Sequence, residues 1–422
     1  MTPTTKTGML DRLLRDGIPA TVASLSHEET LALTDDVCAH NYHPIPLVIT
    51  RGEGAEVWDK QGNRYYDMVG CYSALAHGHR NYAVMKAALE QMQRVTLTSR
   101  AVYTAEMAVF LAALCEFCDA EMAVPMNSGT EAVETAIKLA RKWAYTVKGI
   151  PRGKAEIIAA EGNFHGRSIT IVSFSTEDQY HEGFEPLTPG FVVVPFGDPA
   201  AIERAITPNT AAVLLEPIQA EGGIIVPPPG YLAEVRRICS EHNVLLIWDE
   251  VQTGFCRTGR RFAWQWEEAR PDMMALGKAL GGGLMPVSAV VGGREVLGVF
   301  QPGDHGSTFG GNPLACAVGL AALMEMVRHR LDERAEEMGA VLREGLQPLV
   351  GDQVKEVRGK GLLIGLEFHA SAGTARDRIP KLLDRGILTK DTHQQTLRFA
   401  PPLTITREQL DDAIRRIREA LS

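Results

Sequence analysis

The sequence predicts an α/β protein with a large domain, built on a mostly parallel central sheet flanked by helices, and a smaller α/β domain made from both chain ends. Three observations carry this. First, residues 156–292 alternate short β-rich apolar runs (EIIAAEG, ITIVSFS, FVVVPF, AAVLLEP, VLLIWDE, MMALGK and SAVVG) with stretches of helical spacing. Strands apolar on both faces belong inside a parallel sheet covered by helices. Second, GYLAEVRRICSEH at 230–242 sets Leu232, Val235 and Ile238 on one helical face, as a crossover between parallel strands requires. Third, the two ends read differently: a long amphipathic helix around 315–329 opens a C-terminal region that mixes short strands and helices. The expected division is 1–60 as the N-terminal part of the small domain, 61–315 as the large domain and 316–422 as the C-terminal part of the small domain.

Composition narrows the function class. A chain of 422 residues exceeds what one hydrophobic core organises, and 45% hydrophobic with 23% charged residues is the balance of an ordinary globular protein. The net charge of −9, with Lys and Arg scattered along the chain, excludes non-specific nucleic-acid binding and favours a small-molecule partner. No uncharged apolar run reaches the roughly 18 residues of a membrane span. The N-terminus lacks a signal pattern, and Asp11 and Asp16 do not suit an acid-free transit peptide, so a cytoplasmic location is expected. Seven cysteines, an odd number in a long chain, read as reduced thiols. Cys115 and Cys118 form a CxxC, but they lie in the apolar LAALCEFC with no second CxxC or histidine cluster. They read as buried helix thiols, and no metal is expected.

Three elements carry chemistry. Asp249 closes the strand VLLIWDE, at the carboxyl end of a parallel strand where α/β sheets hold ligands; alone it could equally cap a helix. Lys278 ends MMALGK and runs into Gly281, Gly282 and Gly283, where backbone can approach something bulky; alone it would be a surface charge. Asn127, Ser128, Gly129 and Thr130 precede an amphipathic helix carrying Ala132, Val133, Ala136, Ile137, Ala140 and Trp143. Free N–H groups and hydroxyls at a helix N-terminus make a phosphate site, although Ser128 and Glu131 also have capping-box spacing. A phosphate cradle, a strand-end carboxylate and a strand-end lysine followed by glycines are together what pyridoxal 5′-phosphate requires. The GKGLLIG run at 359–365 has the wrong spacing and place for a dinucleotide fingerprint.

The runs NSGTEAVETAIKLARKWAY, NFHGRS, EPIQAEGG, WDEVQTGFCRTG, LGKALGGGLMPVSAV and GSTFGGNPLA occur in the order seen in fold-type I, class III aminotransferases. Within that class the chain most resembles the ornithine δ-aminotransferases, from NYHPIPLVITRGEGAEVWDKQGNRYYD through LTSRAVY to VRGKGLLIG and LRFAPPL. The resemblance implies that Lys278 binds the cofactor as a Schiff base and shuttles the proton, and that Asp249 pairs with the pyridine nitrogen. It further implies that Gln252 donates near the ring hydroxyl, that Phe164 stacks on the ring and that Val251 contacts it. Ser128, Gly129 and Thr130 would hold the phosphate, with Thr308 supplied by the other subunit of a homodimer.

For substrates, the resemblance implies that Arg167 grips a carboxylate, that Tyr42 helps hold the α-amino group of ornithine, and that Tyr72 marks ornithine over 4-aminobutyrate. Glu221 would neutralise Arg398 while ornithine reacts, then swing away so that Arg398 binds the α-carboxylate of glutamate. The implied reaction moves the δ-amino group of L-ornithine to 2-oxoglutarate. Departures from the family pattern are His165 in place of a large aromatic, Ala220 in place of a glycine and Cys71 in place of a serine. The alternatives are another ω-aminotransferase, acting on N-acetylornithine, 4-aminobutyrate or lysine, or a pyridoxal-phosphate aminomutase or racemase.

Overall fold

The computed structural model describes residues 6–422, so residues 1–5 of the expected N-terminal segment lie outside the described residues. Seven strands form the central sheet: β1 (Met122–Met126), β2 (Glu156–Ala160), β3 (Phe191–Val194), β4 (Thr210–Leu215), β5 (Leu245–Asp249), β6 (Met273–Leu276) and β7 (Ser288–Gly292). Their spatial order is β1-β7-β6-β5-β4-β2-β3. Strands β6, β5, β4, β2 and β3 pair in parallel, and β7 runs antiparallel between β1 and β6. Edge strand β1 was not expected; Pro125 within it lacks the N–H a central strand needs, so only an edge suits it.

Alternation along β5 explains its unbroken apolar character. Leu245 and Ile247 pack with Ala136 and Ile137 of the helix Gly129–Trp143, whereas Leu246 and Trp248 join Val235 and Ile238 of the helix Tyr231–Glu241 on the opposite face. Both faces are covered by helices, so the strand stays apolar until Asp249 at its end.

One expected strand is a correction. ITIVSFS forms a one-turn helix, Ile169–Val172, followed by a turn. Ile171 and Phe174 are buried in the same cluster as Ala132 and Ile137, so this apolar run caps the helix face instead of extending the sheet. Short apolar runs do not distinguish the two by pattern.

Two small sheets follow, and the chain ends meet in the first of them. Ile49–Glu53, Glu56–Asp59 and Arg64–Asp67 form an antiparallel set that Ile387–Leu388 joins in parallel. Val354–Lys360, Leu363–Phe368, Thr396–Phe399 and Lys390–Thr392 form the other. The boundary at residue 60 falls in the turn between Glu56–Asp59 and Arg64–Asp67, and that at 315 lies in the first turn of the helix Pro313–Arg328. The GKGLLIG run is a hairpin: a Cβ on Gly361 would lie 2.4 Å from the Thr258 carbonyl carbon, so glycine there serves close packing. Arg257, next in the chain to Thr258, donates to the Leu362 (3.0 Å) and Pro401 (2.6 Å) carbonyls and ties the central sheet's loop to the strand that carries Arg398.

Candidate active site

Two cavities meet at Lys278. The inner one, about 200 Å³, is lined by Gly129, Thr130, Phe164, His165, Gly166, Glu216, Asp249, Val251, Gln252 and Thr253 as well as Lys278. The outer one, about 590 Å³, also reaches Lys278 and Phe164, and carries Tyr42, Tyr72, Arg167, Tyr180, Glu221 and Lys390 on its walls. They open at the carboxyl ends of β2, β4 and β5, where strand ends leave unpaired backbone and room for a ligand.

Lys278 follows β6 with φ +42°, a strained conformation for a side-chain-bearing residue. Its Nζ donates to Gln252 Oε1. Burial pushes its pKa down, against the pull of the Glu221 and Asp249 carboxylates. A lysine so placed is more readily a neutral nucleophile.

Asp249 is fixed twice: Val251 N–H donates to Oδ1 at 3.0 Å, and His165 Nδ1 lies 2.7 Å from Oδ2. Burial lowers the His165 pKa, but the Asp249 contact outweighs it and leaves it raised. Glu216 was not singled out from the sequence. Its carboxylate accepts from Phe164 N–H (3.0 Å) and Ala220 N–H (3.3 Å), and burial pushes its pKa up to about 7. A signal for it existed, since Glu216 closes AAVLLEP as Asp249 closes VLLIWDE. Tyr180 is a second addition: the Arg167 guanidinium stacks 3.6 Å from its ring centre and 5.5 Å from that of Phe164. No sequence pattern marks it.

At the helix Gly129–Trp143, the capping-box reading of the N-terminus holds, and it leaves the first N–H groups of the helix free. Ser128 and Glu131 form the capping box, and the Glu131 carboxylate takes the Asn127 (3.0 Å) and Ser128 (2.7 Å) N–H groups. Gly129 and Thr130 begin the helix, so their N–H groups lack intrahelical acceptors, and these two residues line the inner cavity while Ser128 does not. A Cβ on Gly129 would lie 2.8 Å from Val251 Cγ1.

Arg398 stands behind the outer wall, almost fully buried, and pairs through Nη1 with Glu221 Oε1. Its Nε and Nη2 have no partner. Burial raises the Glu221 carboxyl, but Arg398, Lys278 and Lys390 outweigh it and leave it below the usual carboxylate range. Tyr72 lies under Arg398 at 4.7 Å. It belongs to a left-handed run, Gly70 to Ser73, in which Gly70 N–H donates to Asp67 Oδ1 at 3.0 Å. Ala220 is outside the positive-φ set, so replacing glycine there brings no backbone strain. Cys71 is exposed on the outer cavity. Thr308 is exposed and lines neither cavity of its own chain.

This arrangement fits pyridoxal phosphate. The inner cavity offers helix-terminal N–H groups at one end, the strand-end carboxylate Asp249 and a lysine whose amine is enclosed; Gln252 Nε2 is buried there without a partner. The family Aminotransferase class-III matches residues 37–421. The chain belongs to the class III aminotransferases. Pyridoxal phosphate is their cofactor, and the fold is that of the fold-type I enzymes. This aminotransferase is 52% identical over 388 residues to the ornithine aminotransferase of Brevibacillus brevis, covering 92% of this chain and 96% of that one. It superposes with a TM-score of 0.94 on the ornithine aminotransferase of Toxoplasma gondii, described with partial occupancy of PLP at its active site, at 43% identity and covering 98% and 97% of the two chains. An acetylornithine aminotransferase from Elizabethkingia anophelis superposes at 0.85 with 42% identity, covering 94% and 98%. Among the described residues no helix is long and apolar enough to cross a membrane.

Proposed function

We propose that this enzyme is an ornithine aminotransferase: it removes the δ-amino group of L-ornithine, leaving glutamate 5-semialdehyde that closes to pyrroline-5-carboxylate, and delivers it to 2-oxoglutarate as glutamate. The observation that carries the reading is the Glu221–Arg398 pair beside Lys278. A site that admits ornithine and then glutamate must hide and reveal one cation, and a carboxylate already paired with a buried arginine does so.

The bound cofactor supplies an electron sink for the substrate carbanion. Lys278 attaches it and moves the proton at Nζ. Asp249, anchored by Val251 N–H and His165, holds positive charge at the ring nitrogen. Gln252 Nε2, buried without a partner, would donate near the ring hydroxyl. Phe164 and Val251 supply the apolar walls, and Gly129 and Thr130, beside Ser128, would hold the phosphate through their N–H groups. Arg167 takes a carboxylate in both half-reactions by a paired, charge-assisted contact. Tyr42 and Tyr72 border the ornithine end. A second copy of the chain supplies Thr308 across a homodimer interface. Phe309 next to it is 55% exposed, and Tyr82, Leu89 and Met324 form an apolar face on the helices Tyr82–Met92 and Pro313–Arg328. The enzyme works in the cytoplasm.

The test is a donor screen in which pyrroline-5-carboxylate is trapped as a coloured adduct. Ornithine should give it with 2-oxoglutarate strictly required. Preference for N-acetylornithine, the reading the Elizabethkingia relative favours, would overturn the donor assignment, and turnover without a keto acid would indicate an isomerase.

A further inference from the structure

We infer that Lys390 is the second berth of the Glu221 carboxylate, a positioning residue that receives it when it leaves Arg398 and so sets the balance between ornithine and glutamate. This rests on the alternate use of Arg398 proposed above.

Lys390 and Arg398 are directly opposed across the antiparallel pair Lys390–Thr392 and Thr396–Phe399. Like charges in that relationship destabilise a sheet unless something lies between them. Two features do. The Tyr72 ring lies 4.7 Å from the Arg398 guanidinium and 5.5 Å from the Lys390 ammonium, and Glu221 sits in the field of both cations. Only Arg398 has the carboxylate now. Lys390 forms no ion pair among the described residues, and its neighbour Asp391 is engaged by Arg376 at 3.4 Å.

Glu221 cannot leave Arg398 by moving its backbone. Thr392 Oγ1, on the same strand as Lys390, donates to the Glu221 carbonyl at 2.9 Å and the Ala220 carbonyl at 3.1 Å, while Glu216 holds Ala220 N–H. The side chain must therefore turn about a fixed Cα. A carboxylate released into a partly enclosed cavity without a counter-ion carries a large desolvation cost. Three cations line the outer cavity: Arg167, Lys278 and Lys390. Arg167 is committed to the substrate carboxylate and Lys278 to the cofactor, which leaves Lys390.

The experiment measures both half-reactions of the holoenzyme by cofactor absorbance in Lys390→Met, Glu221→Ala and the double variant, with Lys390→Arg as the conservative control. In Lys390→Met the efficiency towards glutamate relative to ornithine should fall about tenfold, within the usual range of coupling between sites. Lys390→Arg should restore most of it. In the Glu221→Ala background, where no carboxylate needs a berth, Lys390→Met should leave the ratio unchanged. An equal loss in both backgrounds would mean that Lys390 touches the substrate itself, and an unmoved ratio in the otherwise wild-type enzyme would mean it does neither; each overturns the inference. If Glu221→Ala alone fails to shift the ratio, the alternate use of Arg398 is wrong, a result separable from the first two.

Discussion

His165 Nδ1 lies 2.7 Å from Asp249 Oδ2, with the imidazole side chain wholly buried and the carboxylate 5% exposed. With its proton on Nδ1, the histidine donates to the carboxylate that must hold charge at the cofactor's ring nitrogen. Replacing His165 by leucine removes this contact and leaves Asp249 with the Val251 N–H alone. A hydrogen bond to a charged group is worth about 1.5–3 kcal/mol, so half-reaction rates with both substrates should fall roughly ten- to hundredfold. A change in ornithine binding with unaltered rates would assign His165 to the substrate instead.

Gly129 tests the phosphate cradle. Alanine usually stabilises a helix relative to glycine, yet here its Cβ would lie 2.8 Å from Cγ1 of Val251, a side chain of the inner cavity wall. Overpacking of this kind costs about 1–3 kcal/mol, which corresponds to roughly ten- to hundredfold in cofactor affinity. Gly129→Ala should therefore bind pyridoxal phosphate more weakly in a fluorescence titration, and because Val251 stands in the same place in the empty protein, its unfolding temperature without cofactor should fall as well. Unchanged affinity would place the phosphate elsewhere.

Lys278→Ala should lose the visible absorbance of the lysine-bound cofactor together with turnover. General acid–base transfer alone contributes on the order of 10²–10⁴-fold, so activity should fall at least that far. Among the residues on the inner cavity wall, Lys278 is the one with an amine. Wild-type activity in this variant would remove the central assignment.

Six of the seven central strands and the strand-end groups Asp249 and Lys278 were legible in the sequence because burial on both faces of a sheet leaves continuous apolar runs, and a polar residue ending such a run stands out. The ITIVSFS run misled for the same reason: its burial under a helix gives the same composition as burial in a sheet. His165 was read as a departure from a family pattern, with no means of seeing that it meets a residue 84 positions later. Lys390 and Tyr180 were silent, because a lone lysine on a short strand and a tyrosine in the one-turn helix Asp178–His181 acquire meaning only from the register and packing that bring them to Tyr72 and Arg167.

His77 gives a pH dependence unrelated to catalysis. It is fully enclosed, one ring nitrogen lies 3.0 Å from the Ala322 carbonyl, and burial pushes its pKa down to about 4. The unfolded chain takes up this proton near pH 6.5, whereas the folded protein does so only near pH 4. Stability is therefore present above pH 6.5 and lost as pH falls towards 4, by about 3 kcal/mol from this group. Glu216 and Glu250, raised to about 7 by burial, act in the opposite direction over the same range. Comparison with His77→Gln isolates the histidine: between pH 6.5 and 4 the wild-type Tm should fall more steeply than that of the variant. Parallel profiles would contradict the buried neutral imidazole.

Glu221→Ala separates the two half-reactions most cleanly. Removing Arg398 instead would leave Glu221 unpaired in the cavity wall and damage both substrates for an unrelated reason. With Glu221 gone, Nη1 of Arg398 joins Nε and Nη2, which already lack partners, so the guanidinium is available to a carboxylate at all times. Arg398 then attracts the α-carboxylate of glutamate without first losing its own counter-ion, and it repels the ammonium-bearing end of ornithine that Glu221 had shielded. Efficiency should rise for glutamate and fall for ornithine, each by about tenfold, through binding rather than cofactor chemistry. The Glu221 side chain keeps 25% of its surface exposed, so water from the cavity can solvate the arginine face it uncovers and limit the loss of stability. Half-reactions followed by cofactor absorbance, with a Tm measured on the same samples, distinguish the outcomes. Equal falls for both substrates at an unchanged Tm would make Glu221 a wall residue and end the idea that one arginine is hidden and revealed in turn.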